Sequence, residues 1–143
     1  MPDGYETLHI DDVPLVAFDE PEVPDWRPLR HHLGVGAFGV NAWVAKAAGE
    51  QAIEPHDELP DADGAAGHEE LHVVLRGSAD FTVGDDTFEV QSGSVVFIRD
   101  PALTREATAR EAGTTILTVG AAPGEAFTPS GWEARWLAEK GVT

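Results

Sequence analysis

The chain contains no cysteine, and it carries only nine basic residues against 26 acidic ones over 143 positions. The first absence excludes disulfides, thiolate metal sites and a cysteine nucleophile. The second leaves a formal charge of −17. Such a field repels phosphate backbones and anionic bilayers, so neither nucleic acid nor a membrane surface is expected as a partner. Long apolar runs are missing too; no segment approaches the ~20 residues that a membrane helix needs. The opening Met1-Pro2-Asp3-Gly4-Tyr5-Glu6 has no basic region and no apolar core. No secretory signal is therefore expected, and a cytoplasmic protein is. There is no Gly-x-Ser-x-Gly elbow, and Ser78, Ser92, Ser94 and Ser130 fall at turns or caps, so a serine hydrolase is not supported.

What is present reads as one domain in three parts: an arm over 1–34, a strand-rich body over 35–120 and a helical segment over 121–143. The arm is rich in proline and acid, with short edge strands expected at 8–10 and 15–18. A helix is expected over 26–33, capped by Asp25, with Pro28 near its start and Gly34 as its stop. From Val35 the period becomes two. Phe38, Val40, Ala42 and Val44 alternate with Gly39, Asn41, Trp43 and Ala45, and a short strand follows at 51–54.

Residues 59–67 read as a loop, and its Asp61-Ala62-Asp63-Gly64 lacks the further acids of a calcium loop. Strand patterns follow at 71–75, 79–83, 87–90, 95–99 and 114–119, with a weaker one at 103–109. Gly84-Asp85-Asp86 and Gln91-Ser92-Gly93 supply turns. Short strands at this spacing predict a sandwich or small barrel. Near the C-terminus, Ser130 and Glu133 have the spacing of a capping box. Trp132, Trp136 and Leu137 lie at helical spacing, a stripe suited to a lid on the barrel or on a partner subunit. Gly34-Val35-Gly36-Ala37-Phe38-Gly39 has the letters of a dinucleotide fingerprint, but its glycines precede a strand rather than a helix.

The chemistry gathers at His68-Glu69-Glu70-Leu71-His72-Val73-Val74-Leu75-Arg76-Gly77. Alternation puts Glu70 and His72 on one face of a strand, their Cβ atoms ~6.6 Å apart. Titratable groups facing an apolar interior are costly unless they bind, pair or react. His56, and Glu58 two residues on, can face them from a neighbouring strand. Imidazole with carboxylate suits Zn, Fe, Mn or Ni. The alternative is a metal-free pocket. Arg99 and Arg105 are expected to flank the mouth, where they could clamp a carboxylate or pair with Asp100 and Glu106. His68 is expected at an exposed loop–strand junction, and His31-His32 on the surface of the short helix.

Residues 35 to 120 resemble the cupin superfamily, small jelly-roll barrels of the double-stranded β-helix type. Glu70 and Gly77 match the end of that family's first motif, and Gly93 the start of its second. At the usual spacing the two histidines of the first motif fall near Gly64 and Ala66. With the loop taken as an insertion, His56-Asp57-Glu58 supplies the pair. In the second motif, Arg99, Pro101 and Thr104 stand at the proline, glycine and histidine positions, or Glu106 at the last if Pro101 is matched.

The resemblance implies an all-β barrel with a short C-terminal helix around a small-molecule pocket. One implied outcome is a metal-dependent dioxygenase, isomerase or lyase, its divalent ion held by His56, Glu58, Glu70 and His72. The other is a metal-free binding or sensor protein for a sugar or organic acid, with Trp43, Phe81 and Phe97 as walls and Glu70, His72 and Thr104 as polar contacts. A homodimer is expected from edge strands and the tryptophan stripe.

Overall fold

Alternation along the strands sorts polar from apolar side chains and so sets both the core and the site. The computed structural model describes residues 4–60 and 67–142; the Asp61–Gly64 turn lies outside them. The elements are β1 (Asp25–Arg27), α1 (Leu29–Leu33), β2 (Gly39–Val44), β3 (Gln51–His56), β4 (Glu69–Arg76), β5 (Ser78–Val83), β6 (Asp86–Gln91), β7 (Val95–Ile98), β8 (Arg105–Ala109), β9 (Thr115–Ala121) and α2 (Gly131–Glu139). They build a five-stranded sheet, β1-β2-β9-β4-β7, and a four-stranded sheet, β3-β8-β5-β6. All pairings are antiparallel. The fold is an all-β double-stranded β-helix with a short C-terminal helix. No helix among the described residues is long and apolar enough to cross a membrane.

Val74 and Ile116 of the first sheet meet Ile53, Phe81 and Ala107 of the second in the core between them. Each large apolar side chain buried there contributes roughly 1.5–3 kcal/mol. On β4 the inward positions are Glu70, His72 and Val74, in strict alternation with half-exposed Glu69, Leu71 and Val73. The strand's sequence thus drives its own polar residues into the barrel. At its far end Gly77 has a φ of 73°, and a Cβ there would run into the Thr114 side chain. Only glycine allows both the turn and that approach.

The arm and the C-terminal helix close the open end. Val16, Phe18, Trp26 and Leu137 form a second cluster with Trp43, Trp132 and Trp136 packed on it. Here the structure departs from the sequence expectations. The segment 8–10 is not a strand: a 3-10 turn spans Ile10–Asp12, because the His9 ring accepts from the Asp11 N–H and the Asp12 carboxylate accepts from the His9 N–H. Such local bonds offer the backbone an alternative to a ladder. Residues 15–18 contribute only a single bridge, Val16 to Trp26.

Trp26 lies in a strand paired with Trp43, not in a helix. Pro28 disfavours helical backbone at Arg27, so α1 starts only at Leu29; Gly34 ends it as expected, with φ 71°. Ser130 is the residue before α2, yet its side chain makes no capping bond. Glu133, the other half of the expected capping box, turns instead to Arg30.

Candidate ligand site

Between the sheets, at the end covered by α2, lies a cavity of about 440 Å³. Its lining combines the apolar side chains of Trp43, Trp132, Trp136 and Phe127 with His56, Glu58, His68, Glu70 and His72, and the Phe127 ring lies 5.7 Å from that of His68. The tryptophans brace one another, with Trp132 and Trp136 centroids 5.1 Å apart and Trp43 at 5.8 Å and 6.1 Å from them. Trp26 is fully buried behind Trp43, its Nε1–H donating to Asn41 Oδ1 at 2.7 Å. The four tryptophans thus form one packed cluster. Glu133 fixes α2 over the cavity by accepting two bonds from Arg30 Nε, at 3.0 and 2.8 Å.

The polar groups and their partners come from four strands and one loop. His56 ends β3, and its Nδ1–H donates to Glu54 O at 2.7 Å, leaving Nε2 directed at the carboxylates. Nε2 lies 3.1 Å from Glu58 Oε2 and 4.0 Å from Glu70 Oε1. Glu58 is held from its backbone: its N–H donates to Pro101 O at 2.9 Å, and its carbonyl accepts from His68 N at 3.2 Å. The His68 ring stands 3.4 Å from the other Glu58 oxygen. On β4, Glu70 Oε1 accepts from Arg105 Nη1 at 2.9 Å. His72 Nδ1 is paired with Thr118 Oγ1 of β9 at 2.9 Å. Its Nε2 is 3.3 Å from Glu70 Oε1 without hydrogen-bond alignment, and it has no hydrogen-bond partner among the described residues.

Electrostatics lock the His56–Glu58 pair. Burial pulls the His56 imidazole down, but the Glu58 hydrogen bond, the Glu54 carbonyl and the charges of Glu70 and Glu58 outweigh it and raise its pKa to about 9. Burial pushes Glu58 up, but hydrogen bonds from His56 and His68 prevail and lower it to about 2. At neutral pH the pair is therefore an imidazolium on a carboxylate.

One donor atom each from His56, Glu58 and Glu70 lie within 4.8 Å of one another, a group that could hold a metal ion by spacing. Charge argues against that fit. Arg105 already occupies the Glu70 oxygen that faces the other donors. A dication would also sit beside a buried guanidinium.

The sequence-predicted residues divide accordingly. His56, Glu58, Glu70 and His72 come together, although His72 stands outside the compact three-donor group. Trp43 lines the cavity. The other three ligand-pocket expectations are corrected. Phe81 is fully buried in the core, 5.8 Å from the His72 ring, and does not line the cavity. Phe97 is 47% exposed on the outward face of β7, under the Arg99 guanidinium. Thr104 is exposed just before β8. His68, expected at the surface, is buried. Arg105, expected at the mouth, is inside, and its carboxylate partner is Glu70 rather than Glu106. Thr118 and Phe127 carried no chemical signal in the sequence; only the period-two phase of 115–121 could have turned Thr118 inward.

No protein-family model and no curated protein matches the sequence. Solved structures do. A sugar phosphate isomerase of the cupin superfamily from Silicibacter pomeroyi superposes with TM-score 0.63 at 16% identity, over 82% of this chain and 76% of its own. A cupin protein from Bacteroides fragilis gives 0.61 at 17%, over 90% and 92%. A predicted oxalate decarboxylase from Thermotoga maritima gives 0.63 at 11%, over 81% and 98%. The chain spans only 60% of the length of a further similar structure, from Acidithiobacillus ferrooxidans (TM-score 0.55, 18% identity).

Proposed function

Proceeding from the cupin fold that this chain shares with those structures, we propose that it binds a small, uncharged, polyhydroxylated molecule such as a sugar. The observation that carries this reading is one cavity whose lining joins a cluster of mutually packed tryptophans with carboxylates and imidazoles. Indole surfaces take the apolar face of a ring, and carboxylates and imidazoles take hydroxyls. His72 Nε2, buried and unpaired, is a ready hydrogen-bonding group for such a ligand.

Phosphate does not suit this cavity. Glu58 lines it, and the nearby arginines are engaged: Arg30 by Glu133 and Arg105 by Glu70. The phosphorylated substrate in the name of the Silicibacter pomeroyi protein is therefore not carried over. The test is a thermal-shift screen of neutral monosaccharides and polyols against their phosphorylated and carboxylated counterparts. A neutral member at twenty times its dissociation constant is expected to raise Tm by about 5 °C. Trp43→Ala and Glu58→Gln should each abolish that shift. Larger shifts with the phosphates, or none with any neutral compound, would contradict the reading.

A second reading rests on the His56–Glu58 pair at the cavity wall, 3.1 Å apart. The protonated imidazole is a general acid for the carbonyl oxygen of a bound hydroxycarbonyl compound, and the carboxylate becomes a general base once the substrate displaces its hydrogen bonds to His56 and His68, which is isomerase-type proton transfer. Incubating neutral aldoses with the protein in deuterated water, followed by NMR, tests it. Protein-dependent deuterium at the carbon beside the carbonyl supports catalysis; its absence leaves binding alone.

A further inference from the structure

The Arg105 side chain is 1% exposed and makes all its bonds inside the protein. Nη1 donates to Glu70 Oε1 at 2.9 Å, Nε and Nη2 donate to Leu103 O at 3.2 and 2.9 Å, and Nη2 also reaches Asp100 O at 3.3 Å. The residue starts on β8, in register with His56 of β3, and reaches the first sheet at Glu70. The oxygen it holds is the point on which the other donors converge, with His72 Nε2 at 3.3 Å and His56 Nε2 at 4.0 Å. A fixed organic cation thus stands where carboxylates and imidazoles gather as they do around an ion. Its carbonyl contacts orient it there, and Arg is the side chain whose planar fork permits that many directed bonds at once.

We propose that Arg105 takes the place of a divalent metal ion in this site, and that replacing its guanidinium by an imidazole converts the cluster into a metal centre. The change removes the competing cation, frees Glu70 Oε1 and adds a nitrogen donor to His56, Glu58 and Glu70. Those three already lie within 4.8 Å of one another. Two carboxylates with imidazole nitrogens form a donor set for Zn, Mn, Fe or Ni.

The experiment compares the parent protein with Arg105→His and Arg105→Gln, each purified without chelator, incubated with Zn²⁺ or Mn²⁺, desalted and assayed for metal by mass spectrometry. The parent should retain below about 0.1 ion per chain and Arg105→His close to one. Adding Glu70→Gln to Arg105→His should remove that ion, which separates the site from binding by the acidic surface. Arg105→Gln, which leaves Glu70 without its cation, should melt roughly 10 °C lower, and Zn²⁺ should restore part of the loss. That restoration is the readout if Arg105→His does not fold. A stoichiometric ion in the parent would overturn the proposal. So would a folded Arg105→His that binds no more metal than the parent, or a double variant that binds as much as Arg105→His.

Discussion

Glu70 and Arg105 are buried partners on opposite sheets, so each stands to lose most when the other is removed. Arg105→Ala or Glu70→Ala is predicted to cost about 3–5 kcal/mol in urea unfolding, because a lone buried charge remains. The double substitution should cost clearly less than the sum of the two. Sign matters for the His56–Glu58 pair. The imidazole pKa is raised from its ordinary 6.5 to about 9, so the pair's contribution is complete below pH 6.5 and is lost as pH rises through 9. The Glu58 pKa is lowered from 4.5 to about 2, so the same contribution is complete above pH 4.5 and is lost as pH falls through 2. Tm should therefore be highest between about pH 4.5 and 6.5, and His56→Gln should flatten the alkaline decline between 6.5 and 9. An alkaline decline unchanged in His56→Gln would contradict the assignment.

At the scale of elements, α2 tests which contacts hold the cavity's cover. Its expected capping box is absent, and Glu133 is buried against Arg30 instead. Ser130→Ala is predicted to change stability by less than about 0.3 kcal/mol, where a working cap would cost about 1. Glu133→Gln should cost about 2 kcal/mol and raise amide exchange across 131–139. A large Ser130→Ala effect would show that the cap forms in solution.

The strands show how far periodicity reaches. On β4, apolar neighbours mark the phase, so the shared face of Glu70 and His72 was legible from sequence. On β8 the inward set is Arg105, Ala107 and Ala109. Two alanines give a weak phase signal, and a charged residue at its head reads as surface. Only its partner across the barrel explains Arg105, and that partner lies 35 positions away in the chain. Phe97 misled for the opposite reason: it is apolar but lies on the outer face of an edge strand.

For the whole molecule, the strand-rich body and its terminal helix were readable from turns and alternation, but the strand order was not. The turn signals specify the β5–β6 hairpin, whereas β9 lies between β2 and β4 through pairings of distant segments. That ordering brings Thr118 beside His72, a contact with no local signature. The net charge acts at this scale too. With a formal −17, self-repulsion weakens the folded state, and salt screens it. Raising NaCl from about 20 to 500 mM should increase Tm by several degrees. No increase would mean that the acidic surface is already neutralised by local pairing.

The central claim is that Arg105 and the His56 imidazolium, rather than a metal ion, are the cations paired with Glu70 and Glu58. NMR of the imidazole nitrogens of His56 across pH 5 to 10, with and without Zn²⁺, tests it most directly. The account predicts an imidazolium at pH 7 that loses its proton near pH 9 and is unmoved by the metal. A neutral His56 at pH 7, or one whose Nε2 shifts on binding stoichiometric Zn²⁺, would contradict it.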